Sequence, residues 1–458
     1  MKDGAVTYQC KFLDSETYRK NKEEQRIVFS ECGTRSSPDP CHTIFQRFAS
    51  YFSFEPQSDN CNISIYPMAD EIYAFGEYPT IHRIDPVTLK TLRSVNVFKK
   101  VNIVHHTSHP HVTHDGTMYN VGLAVGRRPA YSIIEFPETK NSIYEKDVFS
   151  NARIVAAVPA RWQFHPCYMH SFGITDSYYV IIEQPFSIST LSSITLKLCR
   201  KAPFDVLQWY DKESTLIHVV SRETAEVVQT FSSETFFFFH IINQYEEKDH
   251  VVLDVCIYKD PDIINALLVS ELKNLMSGKS NQLMNPRAVR FVLPLKTETE
   301  SSENLVKVVG SNAKAWRSSA SNYIQVSPEV LSNMYCEMPR IKYPDMLGKK
   351  YRYFYGIIMM GSPVQPGGLV KVDTVKKTET VWYEEGISAS EPVFIPSNDP
   401  KEEDDGVVLS SLLFNKDNEK RVALLILDGK TFTELGRTVF DTPCTIPSTF
   451  HGWFCDNK

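Results

Sequence analysis

The chain has 458 residues, with 49 Lys+Arg against 55 Asp+Glu for a formal net charge of −6. That mild acidity excludes a strongly basic nucleic-acid surface, so no nucleic-acid partner is expected, and no acidic solvating tail is present. With 42% hydrophobic and 23% charged residues, the chain can bury a large core, which excludes the disordered and collagen-like classes.

The opening MKDGAVTYQC shows no basic region followed by an apolar run, so no secretory leader is visible. Apolar runs such as Val422 to Leu427 fall far short of the ~18 residues of a membrane-spanning helix. Ten cysteines (10, 32, 41, 61, 167, 199, 256, 336, 444, 455) form no C-x-x-C pair and read as reduced, buried thiols rather than a disulfide frame. A soluble or peripheral cytoplasmic protein is the expectation.

The first predicted element lies in Cys41 to Phe54, CHTIFQRFASYFSF, where Ile44, Phe48 and Phe52 stack at i, i+4 and i+8. The pattern predicts an amphipathic helix from Ile44 to Phe52, with Phe45 and Ala49 beside the apolar stripe and Arg47 on the polar side. Such a face suits a membrane interface and equally suits packing on the protein body.

Further along, the recurring unit is a β-hairpin. Arg83-Ile-Asp-Pro-Val-Thr-Leu89, His218-Val-Val-Ser-Arg-Glu-Thr224, Lys371-Val-Asp-Thr-Val-Lys-Lys-Thr378 and Leu425-Ile-Leu-Asp-Gly-Lys-Thr431 each run from β-formers through Asp or Ser into a short turn and out again. Asp and Ser suit the turn because their side chains bond backbone N–H groups just downstream. The turn residues Asp85, Ser221, Asp373 and Asp428 are unevenly spaced, so no fixed-period array is implied.

A second helix is predicted from Pro261-Asp262, with Ile264, Leu267, Leu268, Leu272 and Leu275 at helical spacing and Gly278 as its stop. Polar linkers run from Lys296 to Asn304 and from Ser397 to Gly406; the latter holds Glu402-Glu-Asp-Asp405, expected to be a solvated loop. No break reads as a domain boundary. The expectation is one all-β domain over residues 1–458, a propeller or a sandwich.

Thirteen histidines are present. Ser108-His-Pro-His-Val-Thr-His-Asp-Gly116 groups His109, His111 and His114, but its Asp follows the last His, unlike the H-x-H-x-D-H motif of dinuclear hydrolases. His170 in Tyr168-Met-His-Ser-Phe-Gly173, His240 in Phe236-Phe-Phe-Phe-His-Ile-Ile-Asn243 and His451 in Pro447-Ser-Thr-Phe-His-Gly-Trp453 sit in apolar or aromatic surroundings. A lone histidine there is more often a hydrogen-bonded core residue than a ligand. Spacing does not separate the two readings, because the candidates are spread over most of the chain.

Several longer motifs occur in order: His109-Pro-His111, Tyr168-Met-His-Ser-Phe-Gly-Ile-Thr175, Ile182-Glu-Gln-Pro185, Phe239-His-Ile-Ile-Asn-Gln-Tyr-Glu246, Arg290-Phe-Val-Leu-Pro-Leu295, Ser390-Glu-Pro-Val-Phe394, Glu403-Asp-Asp-Gly-Val-Val-Leu-Ser410 and Phe450-His-Gly452. Together they resemble the carotenoid cleavage oxygenases of animals, the β-carotene oxygenases and the related retinoid isomerase, over essentially the whole chain from Gly4 to Phe454.

The resemblance implies a seven-bladed β-propeller with a few capping helices and loops, holding a non-haem Fe(II) on its axis through four histidines. Carried across motif by motif, the ligands are His109, His170, His240 and His451, while His111 and His114 fall outside the ligand positions. It also implies glutamates that accept the imidazole N–H groups. These are Glu77 in Phe75-Gly-Glu-Tyr78, Glu337 in Cys336-Glu-Met-Pro339 and Glu391 in Ser390-Glu-Pro392, paired with His170, His240 and His451, with His109 left without a carboxylate.

Pro38-Asp-Pro-Cys41 resembles the family's membrane-facing segment, so Cys41, Ile44, Phe45, Phe48 and Phe52 are expected at a membrane and substrate-access surface. Phe236 to Phe239 are candidates for aromatic walls along a polyene, or for core packing.

Three departures stand out. The family's N-terminal segment, with its N-G-P-G-like turn and H-x-F-D-G motif, has no match, so strands that complete a blade are expected to be missing. Cys32 stands where a phenylalanine is common near the substrate cavity, and Gly76 and Tyr78 flank Glu77 where threonines are usual, which would open the site. The implied activity is O2-dependent cleavage of a carotenoid C=C bond to apocarotenoid aldehydes, with central (15,15′) cleavage of β-carotene to retinal first. The alternatives are eccentric (9′,10′) cleavage, a retinoid isomerase that breaks a retinyl ester without O2, and an inactive carotenoid-binding propeller.

Overall fold

All the predicted turns form, and they share one geometry. The computed structural model describes residues 5–37, 40, 41, 43, 58–138, 149–195, 202–276, 285–296, 303–415 and 418–455. Asp85 links strands Thr80–Ile84 and Thr91–Asn96, and Ser221 links Thr215–Ser221 and Val227–Ser233. Asp373 links Leu369–Asp373 and Thr378–Trp382, and Asp428 links Arg421–Asp428 and Glu434–Asp441. Each Asp accepts two downstream N–H groups on one oxygen, as at Asp428, whose Oδ1 takes Lys430 N–H at 3.0 Å and Thr431 N–H at 2.7 Å. The Ser221 hydroxyl takes Thr224 N–H at 3.1 Å.

In each turn the first residue's carbonyl then accepts the N–H four residues on, at 2.8–3.0 Å, from Leu89, Ala225, Lys377 and Phe432. Those four donor residues lie in the left-handed region, with φ of 53°, 61°, 54° and 58°. That conformation costs a side-chain-bearing residue roughly 1–2 kcal/mol. The paired strands and the side-chain bonds at the turn hold it in place.

The strands gather into two compact units. The first comprises residues 9–170 and 183–212. It holds an antiparallel sheet of Ser64–Met68, Glu71–Phe75, Thr80–Ile84 and Thr91–Asn96 in sequence order. A second sheet places His105–His106 and His111–Val112 along one edge of Met118–Ala124, followed by Ala130–Phe136 and Arg153–Pro159. Its core includes Tyr73, Ile81, Tyr131, Ile133 and Phe149, each under 2% exposed.

The second unit comprises residues 1–8, 171–182 and 213–458. Its longest sheet runs Phe237–Glu247, His250–Tyr258, Arg287–Pro294, Glu329–Arg340, Tyr353–Ile358, Leu369–Asp373 and Thr378–Trp382, all antiparallel. The long strand Glu329–Arg340 pairs at one end with Arg287–Pro294 and at the other with Tyr353–Ile358. A C-terminal sheet sets Ile387–Ala389 and Val393–Pro396 against Gly406–Phe414, then Arg421–Asp428 and Glu434–Asp441. Burial falls outward across this sheet: Leu425 and Leu427 are fully buried, whereas Leu435 is 60% exposed. The chain is mostly β with little helix, as expected.

Four expectations need correction or limits. The helix from residue 261 is two short helices, Asp262–Ala266 and Val269–Met276, broken at Leu267 and Leu268, which are 46% and 36% exposed. Of the predicted stripe Ile264 is buried, beside Ile263 and Ala266, whereas Leu267, Leu268 and Leu272 are exposed. The acidic run is not uniformly solvated: Asp404 is 6% exposed and pairs with the buried Lys371 at 2.5 Å, and Glu403 accepts the N–H groups of Arg352 and Tyr353. The described cysteines are free thiols, but Cys10, Cys32, Cys41, Cys444 and Cys455 are exposed rather than buried. Ile44, Phe45, Phe48 and Phe52 lie outside the described residues; Cys41 is exposed.

A helix at Glu16–Glu24 has no counterpart in the apolar pattern. It is polar on nearly every face and depends on its N-terminus: Ser15 Oγ accepts Tyr18 N–H, and the Asp59 carboxylate accepts Glu16 and Thr17 N–H at 2.8 and 2.9 Å.

Candidate metal centre

In the first unit, the sequence around His109 interrupts a strand. His106 pairs with Gly122 and His111 with Tyr119, so residues 107–110 oppose Asn120 and Val121 alone. Pro110 cannot donate to a ladder, which suits this bulge. Asn120 satisfies the displaced backbone: its amide donates to Thr107 O at 2.9 Å and its carbonyl oxygen accepts Val121 N–H at 2.7 Å. His109 is thereby aimed at His170, and their Nε2 atoms lie 3.1 Å apart.

His170 is 7% exposed and its Nδ1 lies 2.7 Å from Glu77 Oε1. The same oxygen accepts the Tyr168 hydroxyl at 2.6 Å. Burial alone would raise the Glu77 carboxyl pKa; contacts with His105 and His170 outweigh it and hold the group well below the usual carboxylate range. Burial and the Glu77 charge push the Tyr168 phenol well up, so Tyr168 is the donor. The Glu77 charge fixes the His170 proton on Nδ1 and leaves Nε2 as the basic nitrogen.

In the second unit, His240 also sits on an irregularity. Phe238 pairs with Ile257 and Ile241 with Val255, so Phe239 and His240 face Cys256 alone. His240 Nδ1 lies 2.6 Å from Glu337 Oε2, which also accepts Met338 N–H at 2.6 Å. Met338 adopts φ 53°, and the register of its strand shifts between Glu337 and Arg340. Gly356 lies against this bulge, where a Cβ would come 3.0 Å from Glu337 O.

His451 is carried on a C-terminal segment outside the sheets. Glu391 fastens it, Oε1 accepting His451 Nδ1–H at 2.7 Å and Oε2 accepting Gly452 N–H at 3.0 Å. Burial would raise the Glu391 pKa, but the Arg340 charge and the bond from His451 lower it below the ordinary value. The His240 and His451 rings meet edge-on with centroids 4.9 Å apart. Each unit therefore presents a histidine pair backed by carboxylate.

A family model described as "Retinal pigment epithelial membrane protein" matches residues 1–456. The chain belongs to this carotenoid oxygenase family. A carotenoid isomerooxygenase of Drosophila melanogaster is 40% identical, over 100% of this chain and 83% of that protein. A beta,beta-carotene 15,15′-dioxygenase of Homo sapiens is 34% identical, over 99% of this chain and 83% of that protein. Among solved structures, a mutant of Synechocystis apocarotenoid oxygenase aligns with a TM-score of 0.72 at 17% identity, covering 96% of this chain and 82% of that one. Cobalt-substituted Synechocystis ACO aligns with the same TM-score at 18% identity and the same coverage. These structural likenesses establish a shared fold.

In this member of the family, the donor chemistry suits a divalent metal. The Nε2 atoms of His109 and His170, 3.1 Å apart, are close enough that both would hold one cation. Neutral imidazoles are compatible with iron, as they are with zinc, copper and nickel.

The three glutamate–histidine contacts are the ones the family resemblance implies. His111 stays in an edge strand and His114 is exposed. Phe236, Phe237 and Phe238 are 4% exposed or less and belong to the core; Phe239 alone of the four is half-buried, its ring 6.0 Å from His240. At Gly76 a Cβ would meet the Asn60 carbonyl oxygen at 2.8 Å, so close backbone approach accounts for the glycine. His105, Tyr168, Met338 and Arg340 were not anticipated. Tyr168, within Tyr168-Met-His170, and Met338, within Cys336-Glu-Met-Pro339, lie inside motifs; His105 and Arg340 carry no signal in the sequence.

Proposed function

We propose that the chain is a non-haem Fe(II) dioxygenase of carotenoids, with His109, His170, His240 and His451 as ligands of one iron in a single seven-bladed propeller over residues 1–458. The 3.1 Å spacing of His109 and His170 Nε2 carries this reading, since two basic nitrogens held that close call for a shared cation or proton. Conversion of β-carotene with O2 to retinal by central cleavage is the favoured reaction, supported by the name of the human relative. The protein is read as cytoplasmic and peripheral, docking on membranes through the segment from Cys41 to Phe52. Among the described residues no helix is long and apolar enough to cross a membrane.

When bound, the iron supplies the site at which O2 is taken up and activated. The chain's residues do the positioning. Glu77, Glu337 and Glu391 hold a proton on Nδ1 of His170, His240 and His451, stop the rings from turning, and offset the +2 charge that neutral ligands leave. Phe239 offers a partly open aromatic face beside His240 for a polyene. No side-chain acid or base is required by the bond cleavage.

A second reading, coupled isomerisation and cleavage, is favoured by the 40% identity with proteins named carotenoid isomerooxygenase in Drosophila melanogaster and Galleria mellonella. Anaerobically Fe(II)-loaded protein given all-trans β-carotene and O2 tests both. Two all-trans retinals per carotenoid support the first reading, and one cis with one all-trans product supports the second. Ester cleavage of a retinyl ester without O2 uptake, or carotenoid binding without turnover, would overturn the dioxygenase reading.

A further inference from the structure

We propose that His105 is a positioning residue for the His109–His170 pair and acts through Glu77; the inference rests on the metal reading above. Glu77 is held unevenly by its other donors. Tyr168 and His170 both use Oε1, at 2.6 and 2.7 Å. On that side alone the carboxylate is pinned at one atom, and its terminal torsion is broad and nearly two-fold. His105 Nε2 faces the other oxygen, Oε2, at 3.6 Å. It gives the second oxygen a polar neighbour and blocks rotation of the carboxylate plane.

The backbone fixes this arrangement in register. His106, the next residue, donates its N–H to the Glu77 carbonyl at 3.1 Å, so the short strand His105–His106 grips both the main chain and the side chain of Glu77. The two side chains of that strand point opposite ways. His106 is 1% exposed, edge-on to Phe75, while His105 keeps 18% side-chain exposure beside Tyr168, with ring centroids 6.1 Å apart. Tyr168 itself spans Glu77 and His170, its hydroxyl 3.0 Å from His170 Nδ1. Rotation of the Glu77 carboxylate therefore carries Tyr168 and the His170 ring with it. At 3.6 Å the His105 contact is too long for a strong hydrogen bond. Its effect is orientation, and it is expected to be smaller than that of Glu77.

The test is a double-mutant cycle on Co(II) affinity of the metal-free 458-residue chain, read with the visible ligand-field absorption of the bound ion. His105→Leu should lower Co(II) affinity about threefold to tenfold, below the ~10–100-fold expected when a direct ligand partner such as Glu77 is changed to Gln. It should also shift the absorption bands. In the Glu77→Gln background the same change should have no further effect, because the group it acts through is gone. His105→Gln, which keeps an N–H donor, should restore most of the loss and guards against a folding failure of the Leu variant. Equal losses in both backgrounds, or wild-type affinity and bands in folded His105→Leu, would overturn the role of His105 and leave the metal site standing. Failure of the wild-type protein to bind Co(II) would overturn the metal reading, and this inference with it.

Discussion

Glu391→Gln should weaken metal binding because both oxygens of this carboxylate are already in use. Oε1 accepts His451 Nδ1–H at 2.7 Å and Oε2 accepts Gly452 N–H at 3.0 Å, with the Glu391 side chain 3% exposed. A glutamine amide offers one oxygen and one NH2 group, so one of those two donors must face another donor. Leaving a buried donor unsatisfied costs about 1–3 kcal/mol. At 1.4 kcal/mol per factor of ten, that is about a five- to 150-fold loss, which brackets the ~10–100-fold typical of residues that orient metal ligands. The change also removes the negative charge 3.9 Å from Arg340 Nη1. Anaerobic Fe(II) titration against a chromophoric chelator measures the effect, with thermal unfolding run alongside. A folded variant that binds iron with wild-type affinity would refute the assignment of Glu391 and the reasoning behind it.

Lys371→Met should destabilise the fold by about 3–5 kcal/mol, since it strands Asp404 in the interior and removes the donor to the Gly429 and Lys430 carbonyls; Lys371→Met with Asp404→Leu should recover most of this in chemical denaturation. The buried His106, whose pKa is pushed down to about 4 by burial, takes up a proton more readily when unfolded. Stability should therefore fall as pH drops from about 6.5 to about 4, by on the order of 3 kcal/mol, and His106→Asn should flatten that slope in denaturation curves taken across the window. Phe48→Asp should release the protein from liposomes without lowering its melting temperature if the Ile44 to Phe52 segment meets the membrane; a lowered melting temperature with unchanged flotation would place Phe48 in the core.

The hairpins were legible because their determinants are local: Asp or Ser at the first turn position bonds backbone only two or three residues away. The helix Glu16–Glu24 was not, because its stabilising carboxylate, Asp59, comes from a distant segment and its faces carry no apolar stripe. The acidic run misled for the same reason, since its partner Lys371 lies 33 positions away. At the candidate site, residue patterns left His170, His240 and His451 open between ligand and core, and the family resemblance alone singled out the histidines and their glutamates. The bulges at His109, His240 and Glu337 are properties of strand pairing. A register shift leaves no mark in a single strand's composition, so the sequence could not announce how those side chains are aimed.

Iron stoichiometry tests the central claim, that the two histidine pairs serve one metal. After anaerobic Fe(II) loading and removal of excess metal, the wild-type chain should hold about one iron, as expected of a single centre with neutral ligands. Ala substitution at His109, His170, His240 or His451 should in each case lower retention in protein that remains folded. Two irons per chain, or full retention after loss of a histidine from one pair while the other pair remains essential, would contradict a shared centre.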